Sequence, residues 1–92
     1  MAHKTEEELL EKLNEARTKV TFGGTYKHYK DPAKHYKVQG FVILESTDSV
    51  GIIYQAQYSQ RLTFVRPLGS WLAEVEHEGK TVPRFKEVQV RT

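Results

Sequence analysis

The sequence predicts a mainly β fold, a small, partly open barrel of the SH3-like type with five to six short strands and one amphipathic helix in front of it. After Gly24, short runs of alternating polar and apolar residues are separated by turn signals about every 8–12 residues. Before Gly23, apolar side chains recur at helical spacing. The β portion spans about 70 residues, too few for an immunoglobulin-like sandwich of ~100, so a bent barrel fits the length.

The composition is typical of a single globular domain. The chain has 92 residues, of which 38% are hydrophobic and 28% are charged, and it contains no cysteine. The lack of cysteine excludes a disulfide scaffold and Cys-ligated zinc. No apolar run approaches the ~20 residues that cross a bilayer, and the polar, acidic residues 1–8 do not resemble a secretory signal. We therefore expect a cytoplasmic protein with no membrane partner.

Residues 5–18 are predicted to form the helix. Thr5 and Glu8 have the spacing of a capping box, in which each side chain accepts a hydrogen bond from the backbone amide of the other. One stripe of the helix is apolar, formed by Leu9, Leu10, Leu13 and Ala16. A helix of this length is marginal alone in water, so the stripe must dock, more readily on its own barrel than on another chain. Residues 1–22 are thus assigned to the helix and linker, and residues 23–92 to the barrel domain.

Two strands are predicted next, over residues 25–30 and 35–45. The Asp31-Pro32 dipeptide between them indicates a turn, and Gly40 is a plausible bulge or bend in the second strand. Simple alternation along residues 35–45 gives two faces: Tyr36, Val38, Val42 and Leu44 on one, and Lys37, Gln39, Phe41 and Ile43 on the other.

The remaining elements follow in chain order. They are a strand over 50–59, a short strand over 62–66 stopped by Pro67, a helical turn over 70–74 capped by Ser70, a hairpin around Gly79, and a last strand that includes Phe85, Val88 and Val90. Along residues 50–59, Ile52, Tyr54 and Ala56 share one face.

Several short blocks in this β portion stand in a familiar order. They include Gly24-Thr-Tyr26-Lys-His28-Tyr-Lys30, Tyr36-Lys-Val38-Gln-Gly40, Tyr54-Gln-Ala56-Gln-Tyr58, Val65-Arg66-Pro67-Leu68 and Val82-Pro83-Arg84-Phe85. With this spacing, residues 24–86 resemble the small bacterial domain-of-unknown-function family numbered 1653. The resemblance implies an SH3-type barrel and implies no activity, since that family has no assigned function.

One segment departs from the pattern of that family. After the glycine that matches Gly40, the family usually has a histidine and a glutamate where this sequence has Leu44 and Ser46, while Thr47 is retained. A role that family members give to that pair cannot be carried over to this chain.

Nothing in the sequence indicates an enzyme. The four histidines form no known ligand motif, and His28 and His35, which flank a predicted turn, have no carboxylate or thiolate partner for a metal site. A triad of Ser46, His28 and Asp48 lacks a nucleophile elbow and an oxyanion loop. We therefore expect no catalytic residues, no metal and no cofactor.

The residue types favour a binding module instead. The predicted binding residues are Tyr26, His28, Tyr54, Arg66 and Trp71. Tyr, Trp and Arg anchor interfaces because each combines a large area with a polar tip, and SH3-like barrels offer grooves and open strand edges to extended peptides. The same aromatic residues could instead fill the core, with Arg66 as the partner of their polar tips. We expect a protein or peptide partner, and a monomer or weak homo-oligomer.

The alternative is a nucleic-acid or nucleotide binder that uses the basic, tyrosine-rich residues 26–37. Its phosphate contacts would be Lys27, Lys30, Lys34 and Lys37. Tyr29 or Tyr36 would stack on a base. The net charge of only +2 argues against this alternative. It also requires the four lysines to converge on one exposed face, which the fold decides.

Overall fold

Two antiparallel sheets, an N-terminal helix and a short second helix make up the structure, a computed structural model that describes residues 4–89. The elements within this range are α1 (Glu6–Lys19), β1 (Thr25–His28), β2 (Asp31–Leu44), β3 (Ser49–Ala56), β4 (Thr63–Pro67), α2 (Leu68–Leu72), β5 (Glu74–His77), β6 (Lys80–Pro83) and β7 (Phe85–Glu87). The mainly β class with one preceding amphipathic helix is confirmed, although the described residues form seven strands rather than five to six. The predicted Val90 lies outside the described residues.

The larger sheet has the strand order β4-β3-β2-β1-β7, and the smaller sheet is the β5-β6 hairpin. The side chains of the larger sheet define two faces. We call the face that carries Tyr26, Val38, Ile52 and Tyr54 the core face, because all four are buried there, and we call the opposite one the outer face. The SH3-like subtype stays a prediction.

Helix α1 begins as the sequence predicts. The Thr5 hydroxyl accepts a hydrogen bond from the Glu8 amide at 3.2 Å, and the Glu8 carboxylate accepts one from the Thr5 amide at 3.3 Å. The helix packs against β2 and β3 of its own chain. Ala16 is fully buried there and Val20 joins the main core cluster. The apolar stripe therefore docks within the molecule, and half of the Leu10 side chain stays exposed.

The turn predicted at Asp31-Pro32 is wrong. The chain reverses at Tyr29 and Lys30, and β2 already begins at Asp31, which pairs with His28. Between this pair and the next one, Lys27 with His35, β2 has three residues that β1 does not match. Pro32 lies in that bulged segment, where its missing N–H costs no ladder hydrogen bond.

The simple alternation predicted for β2 is also wrong beyond Gly40. A bulge lies between Val38 and Gly40, close to the predicted position, and Gln39 has no opposite residue in the register of β3. Because one extra residue reverses the alternation, Phe41 faces Ile52 and packs on the same core as Val38. Val42 and Leu44 consequently move to the outer face.

The segment after β4 differs from its prediction as well. Helix α2 begins at Leu68, and no side chain caps its N-terminus, so Ser70 is an internal helical residue rather than a cap. The hairpin around Gly79 is confirmed. Glu78 and Gly79 both have positive φ, 53° and 77°, which is the two-residue geometry that matches the twist of antiparallel strands.

Candidate binding surfaces

The predicted aromatic binding face is buried in the core. Tyr26 and Tyr54 are each 6% exposed and Trp71 is 2% exposed. The Trp71 ring stacks on Phe85 with centroids 3.9 Å apart and meets Tyr54 edge-on at 5.0 Å. A domain this small has few other large side chains with which to fill its centre. These three aromatics therefore serve as packing residues and offer almost no surface to a partner.

Arg66 contacts both the core rings and helix α2. Its guanidinium donates to the Tyr54 hydroxyl at 3.4 Å and to the Ser70 hydroxyl at 2.9 Å, and it lies 5.3 Å from the centroid of the Phe85 ring. Such a half-buried cation holds the polar tip of a buried tyrosine. The guanidinium is thus occupied by its own chain, in the structural role that the sequence offered as the alternative.

His28 is half-buried at the end of β1. Its ring packs edge-on against Phe85 with centroids 5.0 Å apart, and its Nδ1 accepts a hydrogen bond from the Lys30 amide at 3.2 Å. Burial lowers the pKa of His28 below its usual value of 6.5, and the positive charges of Arg66, Arg84 and Lys30 lower it further. His28 is therefore a neutral ring in positive surroundings.

The lowered pKa of His28 predicts a loss of stability in acid. The folded state binds this proton less readily than the unfolded state, so the stabilisation is present above pH 6.5 and is lost as the pH falls through the lowered pKa. We expect the free energy of unfolding, measured by urea denaturation, to decrease over this range. The His28→Gln variant should show a shallower pH dependence, and an unchanged slope would contradict the assignment.

The four predicted phosphate lysines do not converge. The register places Lys27 and Lys37 on the outer face. Lys34 instead lies 5.0 Å from the Tyr58 ring centroid and 3.6 Å from the Asp31 carboxylate. Lys30 sits in the turn, 6.0 Å from the Tyr29 ring. The nucleic-acid alternative over residues 26–37 required all four lysines to lie on one exposed face, and they do not.

A different cation joins Lys27 on the outer face. Lys86 of β7 is the direct cross-strand partner of Lys27. Residue 86 follows the β5-β6 hairpin and is more than fifty positions away in the sequence, so no local pattern indicates the pairing. The pairing of Lys27 with Lys86 can be inferred only once β7 is known to lie beside β1.

Three exposed apolar side chains lie close together in sequence at the other edge of the sheet. Leu62, Phe64 and Val65 are 60%, 41% and 51% exposed, and the last two belong to β4. The sequence predicts this segment only as a short strand stopped by Pro67. That this strand forms an edge follows only from the strand order of the sheet.

Two kinds of feature are absent from the described residues. No helix among residues 4–89 is long and apolar enough to cross a membrane. The same residues contain no group of three or more His, Asp or Glu side chains placed to hold a metal ion.

Comparison with known proteins agrees with the sequence blocks. A family model described as protein of unknown function (DUF1653) matches residues 24–87. The crystal structure of a DUF1653 protein from Bordetella bronchiseptica is similar, with 30% sequence identity and a TM-score of 0.64, over 76% of this chain and 90% of that one. No curated protein matches the chain.

Proposed function

Because this chain belongs to the DUF1653 family, whose function is unknown, we propose a function from its own surface: the domain binds an extended peptide of a partner protein, which adds a strand to the edge of β4. The observation that carries the proposal is an edge strand with large apolar side chains exposed on it. Long exposed edges are usually blunted by charge or covered, and edges that bind peptides are left open.

The directions in which the backbone amides of β4 point support strand addition. The Ala56 amide donates to the Leu62 carbonyl at 2.9 Å, which makes these two residues a hydrogen-bonded pair. Such pairs alternate along an antiparallel ladder, so Phe64 and Arg66 also turn their backbone groups toward β3. The amides of Thr63 and Val65 therefore point away from the sheet. No other described strand pairs with them.

Side chains around this edge offer specificity on both faces. A cavity of about 130 Å³ lies beside the start of β4 and is lined in part by Tyr58, Leu62 and Phe64. On the outer face, Val65 lies next to Ile53 in the register. An added strand sends alternate side chains to the two faces, so we expect a peptide with a small apolar side chain in the cavity.

Replacing Val65 by proline is expected to weaken peptide binding about tenfold or more without unfolding the sheet. The substitution removes an amide that faces away from β3, and proline is tolerated at such edge positions. Peptides selected from a random displayed library against the wild-type domain supply the probe. Their affinity, measured by calorimetry, should fall by about tenfold or more, since one hydrogen bond of ~0.5–1.5 kcal/mol and close approach of the strand are both lost.

The matched control is Val65→Thr, which keeps the amide and the branched side chain and should bind within about threefold of wild type by the usual small effect of surface substitutions. In the complex, the amide protons of Thr63 and Val65 should become protected from exchange with solvent. Selected peptides that bind while both amides exchange freely would show that the edge is not the site.

A further inference from the structure

A second concave surface lies where the β5-β6 hairpin meets β1 and β7, at the end of the strand order opposite to β4. Its volume is about 210 Å³. Its functional side chains are two cations, Lys27 and Lys86, and three rings, His28, Tyr29 and His77. The remaining lining residues are two prolines and a valine, so no acidic side chain lines it. We call it the junction pocket.

Lys27 and Lys86 are placed against each other at the rim of the junction pocket. They are direct partners in the β1-β7 ladder, and like charges in this position destabilise a sheet. Within residues 4–89, neither lysine forms an ion pair. A bound anion between them would replace this repulsion by two attractive contacts.

The rings of the pocket form a connected group. Tyr29 lies with its ring centroid 4.7 Å from that of His28 and 5.3 Å from that of His77. All three side chains are half-buried and keep part of their surface in solvent. Aromatic faces of this kind stack on nucleobases regardless of base identity, because every base has a π-face.

Three further cations act on His28, a residue that lines the pocket, while the carboxylate of its register partner Asp31 lies 3.6 Å from Lys34. These cations are Arg66, Arg84 and Lys30. The Arg84 Nε is buried, and no atom in the described part of the chain accepts its proton. A negative ligand in the pocket would therefore gain from groups beyond those that it touches.

Cations continue beyond the pocket on the outer face. Lys86 and Lys27 occupy matching positions on the neighbouring strands β7 and β1, and Lys27 is paired in turn with His35 of β2; neighbouring strands are ~4.8 Å apart. Lys37 lies two residues further along β2. This row is longer than one phosphate requires and suits the repeated phosphates of a polymer.

We propose that the junction pocket binds one base of a single-stranded nucleic acid, stacked on Tyr29, with backbone phosphates at Lys86 and Lys27 and onward toward Lys37. The site differs from the hairpin surface that the sequence suggested, because Lys34 is not part of it and Lys86 and His77 are. The pocket is also separate from the β4 edge, so an experiment can contradict the proposal for one site without affecting the proposal for the other.

The test measures fluorescence anisotropy of a labelled oligothymidylate at low and at physiological salt. The double variant Lys27→Gln/Lys86→Gln should weaken binding at least tenfold and reduce the salt slope by about 1.4, since each phosphate contact on a single strand contributes ~0.7. Tyr29→Leu should weaken binding about fivefold or more, with little change in the slope. The matched control, Lys34→Gln, removes a lysine outside the pocket and should bind nearly as wild type.

Two further ligands separate the possible outcomes. Adenosine monophosphate should bind far more weakly than the oligonucleotide, and polyglutamate should not show the Tyr29 dependence. The proposal is overturned if the oligonucleotide does not bind at low salt, if adenosine monophosphate binds as tightly, or if Lys34→Gln weakens binding as much as the double variant. Amide shift changes confined to residues around the pocket would support it.

Discussion

Replacing Trp71 by alanine is expected to remove most of the free energy of unfolding of the domain. The ring is 2% exposed, stacks on Phe85 and meets Tyr26 and Tyr54 edge-on. Truncation of a buried large aromatic costs ~3–5 kcal/mol, while whole domains are stable by only ~5–15 kcal/mol. A chain of this size lies toward the lower end of that range.

Urea denaturation followed by far-ultraviolet circular dichroism measures the loss for Trp71→Ala. Leu72→Ala is the control, because Leu72 is the next residue of the same short helix but is 39% exposed, and its loss should stay below about 1 kcal/mol. Trp71→Phe keeps a ring in the stack and should fall between the two. A Trp71→Ala variant that unfolds within 1 kcal/mol of wild type, roughly the ordinary surface effect, would contradict the core assignment.

Placing aspartate at Ala16 is expected to release helix α1 from the sheet. Ala16 has no exposed surface, and a carboxylate buried there without a partner costs several kcal/mol, about 3–5 by analogy with broken buried pairs. The molecule can avoid that cost by undocking the helix, since a helix of this length is marginal alone. Residues 6–19 should then lose their protection from hydrogen exchange.

Asn14→Asp is the matched control for this substitution. It adds the same charge to the same helix at an exposed position, where the new carboxylate keeps the acceptor that Arg17 already uses at 2.9 Å. Its exchange pattern should match that of wild type. Equal protection of the helix in Ala16→Asp and Asn14→Asp would show that the docked position of α1 does not depend on Ala16.

The candidate surfaces were only partly accessible from the sequence. Tyr29 and Lys27 stand in the basic segment that the sequence singled out. Lys86 does not, because only the pairing of β7 with β1 brings it opposite Lys27. Phe64 and Val65 looked like ordinary strand residues, and it is the position of β4 at the end of the strand order that leaves them exposed.

The sequence alone was also insufficient to decide whether the aromatic residues lie in the core or at the surface. Tyr54 and Trp71 have the chemistry of interface anchors, and that chemistry also suits a small core. Composition cannot separate the two, because burial depends on which neighbours enclose a ring. The stack of Trp71 on Phe85 joins residues on different elements and settled the choice.

The sequence by itself determined the features whose interactions are local. The start of α1 at the Thr5–Glu8 capping box and the hairpin turn at Gly79 depend on residues within a few positions of each other. Only the tertiary structure decided which face each β2 residue occupies, because the bulge after Val38 reverses the alternation and is fixed by pairing with β3. The same long-range pairing decided which cations meet and which strand edge stays open. Local contacts are encoded by spacing along the chain, whereas register and strand order are set by the packing of the whole domain.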